Sequence, residues 1–179
     1  MKFRAEAIGE FLDFEPALRE ASARFRRRVA AGGRGDRTLT DAAIVLRELT
    51  TLHEHAERLR RRRPARAEDL RHDIDLQDAL SMSLLVAVQA ALDVALHIAS
   101  DEGLGVPATY AEGFRMLADH GVIDQETSSR LGAMAALRNR IAHGYASVDF
   151  ERIWTELPAG LDALAAFASA VARRLGNQG

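Results

Sequence analysis

The chain has no cysteine. This excludes disulfides, thiolate zinc sites and cysteine nucleophiles, and it suits a reducing cytosol. Proline is scarce, with four in 179 residues, and β-branched residues rarely alternate with polar ones. Strand patterning is therefore poor, while helical patterning is almost continuous. Lysine is nearly missing: Lys2 stands alone, so the cationic side chains are arginines. Codon composition or function can each produce that bias. A large charge imbalance is also absent. The net charge is -2, so nothing global points to nucleic acid. Residues 1–10 carry charges throughout, unlike a signal peptide. No apolar run is read as approaching the roughly 20 residues that span a bilayer. The expectation is a soluble cytoplasmic protein with one sizeable core and no membrane segment.

What is present is a succession of helical patterns. Residues 3–30 read as a first helix, with Phe3, Ile8, Phe11 and Leu12 near helical spacing and Pro16 as a kink. Gly32, Gly33 and Gly35 follow as a seam, so residues 1–35 read as an N-terminal extension of a domain over 36–175, with a polar tail at 176–179. The glycines precede no Lys-Ser/Thr pair, which leaves a linker rather than a phosphate loop. Thr38 or Thr40 can cap the next helix, whose stripe is Ile44, Val45, Leu49, Leu52, Ala56 and Leu59. Arg60 to Arg63 end it before Pro64, complementing the macrodipole or touching phosphate. Asp73 or Asp75 starts a helix that is apolar on most sides from Leu80 to Ile98. Such a helix is buried in the core or shared with a partner subunit. Gly103 and Gly105 close it. Pro107 opens a shorter helix through Tyr110, Phe114 and Leu117, ending near Gly121. Asp124 caps the following one, which carries Leu131, Met134 and Leu137. After Tyr145 come Phe150, Ile153, Trp154 and Leu157. Pro158 and Gly160 interrupt, and a last helix runs from Leu161.

The densest chemistry is the stretch from Leu137 to Tyr145, LRNRIAHGY. Arg138 and Arg140 are fixed cations, Asn139 both donates and accepts, and His143 can move a proton near neutral pH. Asn139 and His143 are four apart and share a helix face. Arg138 and His143 are five apart and diverge by about 140° on an ideal helix. Gly144 can end the helix and free His143 to swing. Alternatively, two copies of the helix meet across a twofold axis and pool their residues. The chemistry indicated is phosphodiester cleavage without a metal or other cofactor, with histidine as general acid or base and arginine on the phosphate. A helix end with cationic capping explains the same letters without chemistry. Asp93, a carboxylate on the most apolar helix, is either buried against the 138–143 stretch or exposed on a narrow stripe with Gln89. The histidines hold no chelating pattern: His53 and His55 are two apart and point to opposite faces, and His72, His97 and His120 are isolated.

Arg138, four residues, His143, one residue and Tyr145 spell R-x-x-x-x-H-x-Y. This resembles the signature of the HEPN superfamily, in its HepT-like branch. The run from Leu76 to Asp124 resembles that family's central helices, and RNRIAHGYASVDFERIW resembles its last motif and exit turn. The likeness covers roughly Thr38 to Leu175. It implies an all-α antiparallel helical bundle that forms a twofold homodimer, with the motif helices lining a shared cleft. It implies a metal-independent endoribonuclease toxin acting on RNA. Arg138 and His143 match the family's catalytic pair, and Asn139 matches the polar residue after the arginine. Tyr145 matches the tyrosine that a minimal nucleotidyltransferase (MNT) antitoxin AMPylates. Arg140 and Asp93 are candidate supporting residues. The alternative is a non-catalytic HEPN dimer that binds RNA or a partner.

Overall fold

The computed structural model describes residues 16–24, 26–27, 37–144 and 148–177, and every regular element among them is an α-helix. Residues 16–24 are helical (α1). There follow α2 (Arg37–Arg62), α3 (Ala67–His72), α4 (Ile74–Asp101), α5 (Tyr110–Asp119), α6 (Gln125–Gly144) and α7 (Phe150–Asn177). The all-α expectation holds.

Local chemistry sets most helix ends. Asp73 caps α4 by accepting the Leu76 N–H at 2.9 Å, which decides between Asp73 and Asp75 as the start. Asp124 caps α6 with both oxygens, accepting from Thr127 N at 2.7 Å and Thr127 Oγ1 at 2.8 Å. Those hydrogen bonds hold its carboxyl below the usual aspartate range, the Thr127 backbone N–H being the largest cause. Thr109, not Pro107, caps α5, accepting from Glu112 N. Gly103 and Gly121 take φ of 66° and 70° just past α4 and α5, a conformation that glycine adopts without a Cβ penalty. α2 begins at Arg37, ahead of Thr38 and Thr40. Short α3 has no counterpart in the sequence reading, because six residues carry too little periodicity to announce a helix.

α4 is the axis of the bundle. It packs against α2, α3, α5, α6 and α7. Leu80, Leu84, Ala87, Val88, Ala91, Leu92, Val94 and Ala95 are all buried. By length and composition α4 could cross a membrane, contrary to the expectation that no run reaches that size, but most of the apolar segment is buried inside this fold. Its apolarity follows from being enclosed on most sides. A stripe stays open: Met82 and Asp93 are exposed, Leu96 is at the edge of exposure, and Val86 and Gln89 are half-buried. Phe114 of α5 and Phe167 of α7 meet edge to face in the core, with centroids 5.8 Å apart.

The expected break at Pro158 and Gly160 does not occur; α7 runs through both. Proline removes the N–H that would bond the carbonyl four residues back, on Trp154. Arg63 supplies the missing donor, its Nε giving a hydrogen bond to Trp154 O at 3.0 Å. The Arg63 guanidinium also lies 3.9 Å from the centroid of the Trp154 ring, and Trp154 Nε1 donates to Pro64 O at 2.9 Å. Gly160 is buried against α6, where an added Cβ would stand 3.0 Å from Met134 Sδ. A small residue there lets α6 and α7 approach closely.

α1 joins the same core. Leu18 and Ala21 are buried in it, and Arg24 Nη1 donates to Gly176 O at 2.6 Å, satisfying a carbonyl at the end of α7. The remainder of the expected first helix, including Phe3 to Leu12, lies outside the described residues. α7 reaches Asn177, so the expected tail begins later than Gly176.

Candidate active site

Residues 137–144 of the motif stretch form the last two turns of α6. α6 continues through Gly144, so the helix does not end in time to free His143. Arg138 and His143 therefore stay about 140° apart around one axis. Arg138 is half-buried, while Arg140 and His143 are exposed. Ile141 is buried and anchors the turn between them. Of the two arrangements open to the sequence, a single chain does not adopt the first. Tyr145 lies outside the described residues.

Arg138 is the best-held residue of the motif. Its Nη2 donates to Gln89 Oε1 at 3.0 Å and its Nη1 to Asn139 Oδ1 at 3.2 Å. Its guanidinium carbon is 5.8 Å from the Tyr110 ring centroid, within cation–π range. Gln89 Nε2 in turn donates to Asp93 Oδ1 at 2.8 Å. Thus α4, α5 and α6 each contribute a side chain to one patch. Arg138 makes no ion pair with a described residue. By contrast Arg66, Arg71, Arg130, Arg152 and Arg174 pair with Asp69, Glu151, Glu126, Glu156 and Glu102.

Asp93 sits on the open stripe with Gln89, exposed and not buried. Its position explains why the chain tolerates it: a carboxylate in water carries no desolvation penalty. It reaches the motif only through Gln89. Two members of the patch, Gln89 and Tyr110, were not singled out as site residues in the sequence. The available signals were weak. Gln89 lies four residues before Asp93 on an otherwise apolar helix, and Tyr110 is one of only two tyrosines.

Several of the other polar candidates have structural roles. Arg60 pairs with Glu57 at 2.8 Å, a hydrogen bond that raises its pKa, and Arg63 supports α7. Arg61 and Arg62 are exposed. His55 contacts Arg58, with its pKa lowered by burial first and by the Arg58 charge second. His120 Nδ1 is 2.8 Å from Met116 O, at the end of α5. His97 lies 3.3 Å from Asp101.

Comparison with known proteins identifies the family and the fold. The sequence model of a family described as Ribonuclease HepT-like matches residues 52–171, more than half of the chain. A curated relative, the mRNA nuclease HepT of Shewanella oneidensis, is 32% identical over 81 residues. That match takes in 45% of this chain and 61% of the relative, so the chain spans less than two thirds of the length of the relative it matches. Among solved structures, the tri-AMPylated HEPN toxin of Shewanella oneidensis in complex with MNT antitoxin superposes with a TM-score of 0.66 at 24% identity, covering 72% of this chain and 96% of that one. A toxin–antitoxin crystal structure with AMP-PNP superposes with the same TM-score at 23% identity, covering 72% and 97%. At these identities the structural likeness establishes the fold.

Proposed function

The chain belongs to the HepT-like ribonuclease family, and from that premise we propose that it is a metal-independent endoribonuclease, the toxin of a toxin–antitoxin pair. The observation that carries the proposal is the state of Arg138. It is half-buried and fixed by two amide oxygens, with no carboxylate of a described residue against it, on the helix that also exposes His143. Amide oxygens hold a guanidinium without cancelling its charge. Such a group suits an anion arriving from outside, and phosphate is the anion its planar fork fits.

The mechanism follows from proton and charge needs. A ribose 2′-OH attacks the adjacent phosphorus, and the bond from phosphorus to the 5′ oxygen breaks. The products are a 2′,3′-cyclic phosphate and a free 5′-OH. His143 takes the attacking proton or gives one to the leaving oxygen. Arg138 stabilises the charge that grows on the phosphoryl oxygens. Asn139 steadies Arg138, and Arg140 adds positive potential at the rim. Because Arg138 and His143 diverge on one helix, the reading places two copies across a twofold axis, each completing the other's cleft. The open stripe of α4 supports this. Met82, Leu96 and Tyr110 expose apolar surface beside the Arg138 patch, where a second copy would cover them.

A reading of regulation is supported by the relatives. A HEPN toxin that is AMPylated and bound to an MNT antitoxin shares this fold. In this chain Tyr145, two residues past His143, is the proposed acceptor. ATP would supply the adenylate, with pyrophosphate leaving. The added negative charge and bulk at the cleft would repel RNA phosphate.

The test is expression of wild type against His143→Ala, with RNA ends mapped and mass measured by light scattering. Wild type should arrest growth, leave 2′,3′-cyclic phosphate ends and run as a dimer. His143→Ala should lose cleavage by about 10²–10⁴-fold with an unchanged melting temperature, since the side chain is exposed. Equal toxicity from both proteins would sink the role of His143, and a monomer at micromolar concentration would sink the shared cleft.

A further inference from the structure

We infer that Gln89 is a positioning residue for the proposed cleavage: its amide, turned by Asp93, aims the Arg138 guanidinium at the scissile phosphate. The inference rests on the ribonuclease reading above and adds a residue outside the motif.

An amide side chain has one accepting end and one donating end. Asp93 offers carboxylate oxygens, which accept. It stands four residues after Gln89 on α4, so the two share a face at a distance the helix holds constant. Gln89 Nε2 donates to Asp93 Oδ1 at 2.8 Å. With that end engaged, Gln89 Oε1 must face the other way, and there it accepts from Arg138 Nη2 at 3.0 Å. A flipped amide would set its NH₂ against the guanidinium, donor to donor. Asp93 thus decides the orientation of Gln89, and Gln89 carries that choice from α4 across to α6.

The guanidinium has five N–H groups. The one on Nε is buried with no acceptor among the described residues. One on Nη1 goes to Asn139 and one on Nη2 to Gln89. Among the described residues, one N–H on each Nη is left over, a pair in fixed relation. Two amide oxygens and the Tyr110 ring set the plane of that pair. A carboxylate at position 89 would hold the same nitrogen more strongly, but it would neutralise the cation and repel phosphate. Glutamine holds the arginine and leaves its charge available. Asp93, one side chain further out, orients Gln89 without an ion pair to Arg138.

Two substitutions separate positioning from plain support of the fold. Gln89→Met keeps the length and removes both hydrogen bonds. Gln89→Glu keeps an acceptor toward Arg138 and adds a charge. RNA cleavage and melting are followed for both. Gln89→Met should lower kcat about 10–100-fold with KM within roughly threefold, because a misaimed group costs rate more than binding. Gln89→Glu should fold as well as wild type yet fall further in kcat/KM. In an Arg138→Lys background, Gln89→Met should add no further loss, since the group it aims is gone. Wild-type rates from Gln89→Glu, or a fully additive loss in the double variant, would overturn the inference. If wild type cleaves no RNA, the ribonuclease reading fails and a second readout decides the positioning. The Arg138 Nη nitrogens should give separate NMR signals in wild type, which merge in Gln89→Met and in Asp93→Ala. Signals unchanged in both variants would overturn the relay.

Discussion

Among the described residues, two arginines sit against aromatic rings, and they are held in opposite ways. Arg63 lies 3.9 Å from the Trp154 centroid and donates to a main-chain carbonyl that Pro158 leaves without its helical partner. Its surroundings close on themselves: Trp154 returns a hydrogen bond to Pro64, and α7 continues through the proline inside it. Arg138 lies 5.8 Å from the Tyr110 centroid and is held by side-chain amides that reach across from α4 and along α6. Nothing in the backbone of α6 needs it. One arginine completes a structural gap. The other is kept fixed and charged at a place where the fold itself has no use for the charge. An arginine that repairs the backbone should matter for stability, and one oriented by other side chains should matter for activity.

The comparison can be broken from either side. Arg138→Ala should reduce RNA cleavage about 10²–10³-fold, the usual loss when a preorganised charge-stabilising donor is removed. Its melting temperature should stay within a few degrees of wild type; a collapse in stability would show that Arg138 belongs to the frame after all. Trp154→Ala should do the reverse. The ring is half-buried, so truncation should cost about 2–4 kcal/mol. Cleavage measured well below the melting point should stay within a few-fold of wild type. A loss of activity without a loss of stability would move this corner into the site.

A smaller effect sharpens the claim that local caps, rather than the site, set the helix ends. Asp124→Ala should cost about 1 kcal/mol of stability, read by denaturant unfolding, with no change in cleavage. The same residue gives a pH signature. Its carboxyl is held below the usual range in the folded state, chiefly by the Thr127 N–H. A depressed carboxyl pKa adds stability above the unfolded value of 3.8, and that contribution is lost as pH falls through the folded value. His55, lowered by burial and then by Arg58, acts in the same direction nearer neutrality. Its contribution is present above the ordinary value of 6.5 and fades as pH drops below it. Stability should therefore fall in two steps on acidification, and Asp124→Ala should flatten only the lower step.

Much of the frame was legible in the letters, because its signals are local. Asp73 and Asp124 cap within three residues, and Gly103 and Gly121 stop helices where they stand. The buried face of α4 was visible in its near-continuous apolar run. The pair Arg138 and His143 was visible as a spacing, and the spacing alone warned that one straight helix would not close both onto one group. Less legible was anything that depended on a distant partner. Pro158 reads as a break in the sequence because its remedy, Arg63, is 91 positions from the Trp154 carbonyl it serves. The sequence leaves Asp93 open between burial and exposure, since an apolar helix does not announce which narrow stripe stays uncovered.

The sequence by itself determined that the chain is helical, where most helices begin and end, and that a cationic, histidine-bearing turn lies near the end of one of them. Those properties depend on contacts within a few residues, so periodicity and capping chemistry suffice. Only the tertiary structure decided that Gln89, Tyr110 and Arg138 meet, that Asp93 stands outside and accepts from the Gln89 amide, and that His143 stays on the far side of its own helix. Each of these depends on how α4, α5 and α6 pack. The Arg138–Gln89 hydrogen bond joins residues 49 positions apart, a distance at which no pattern in the chain carries direction.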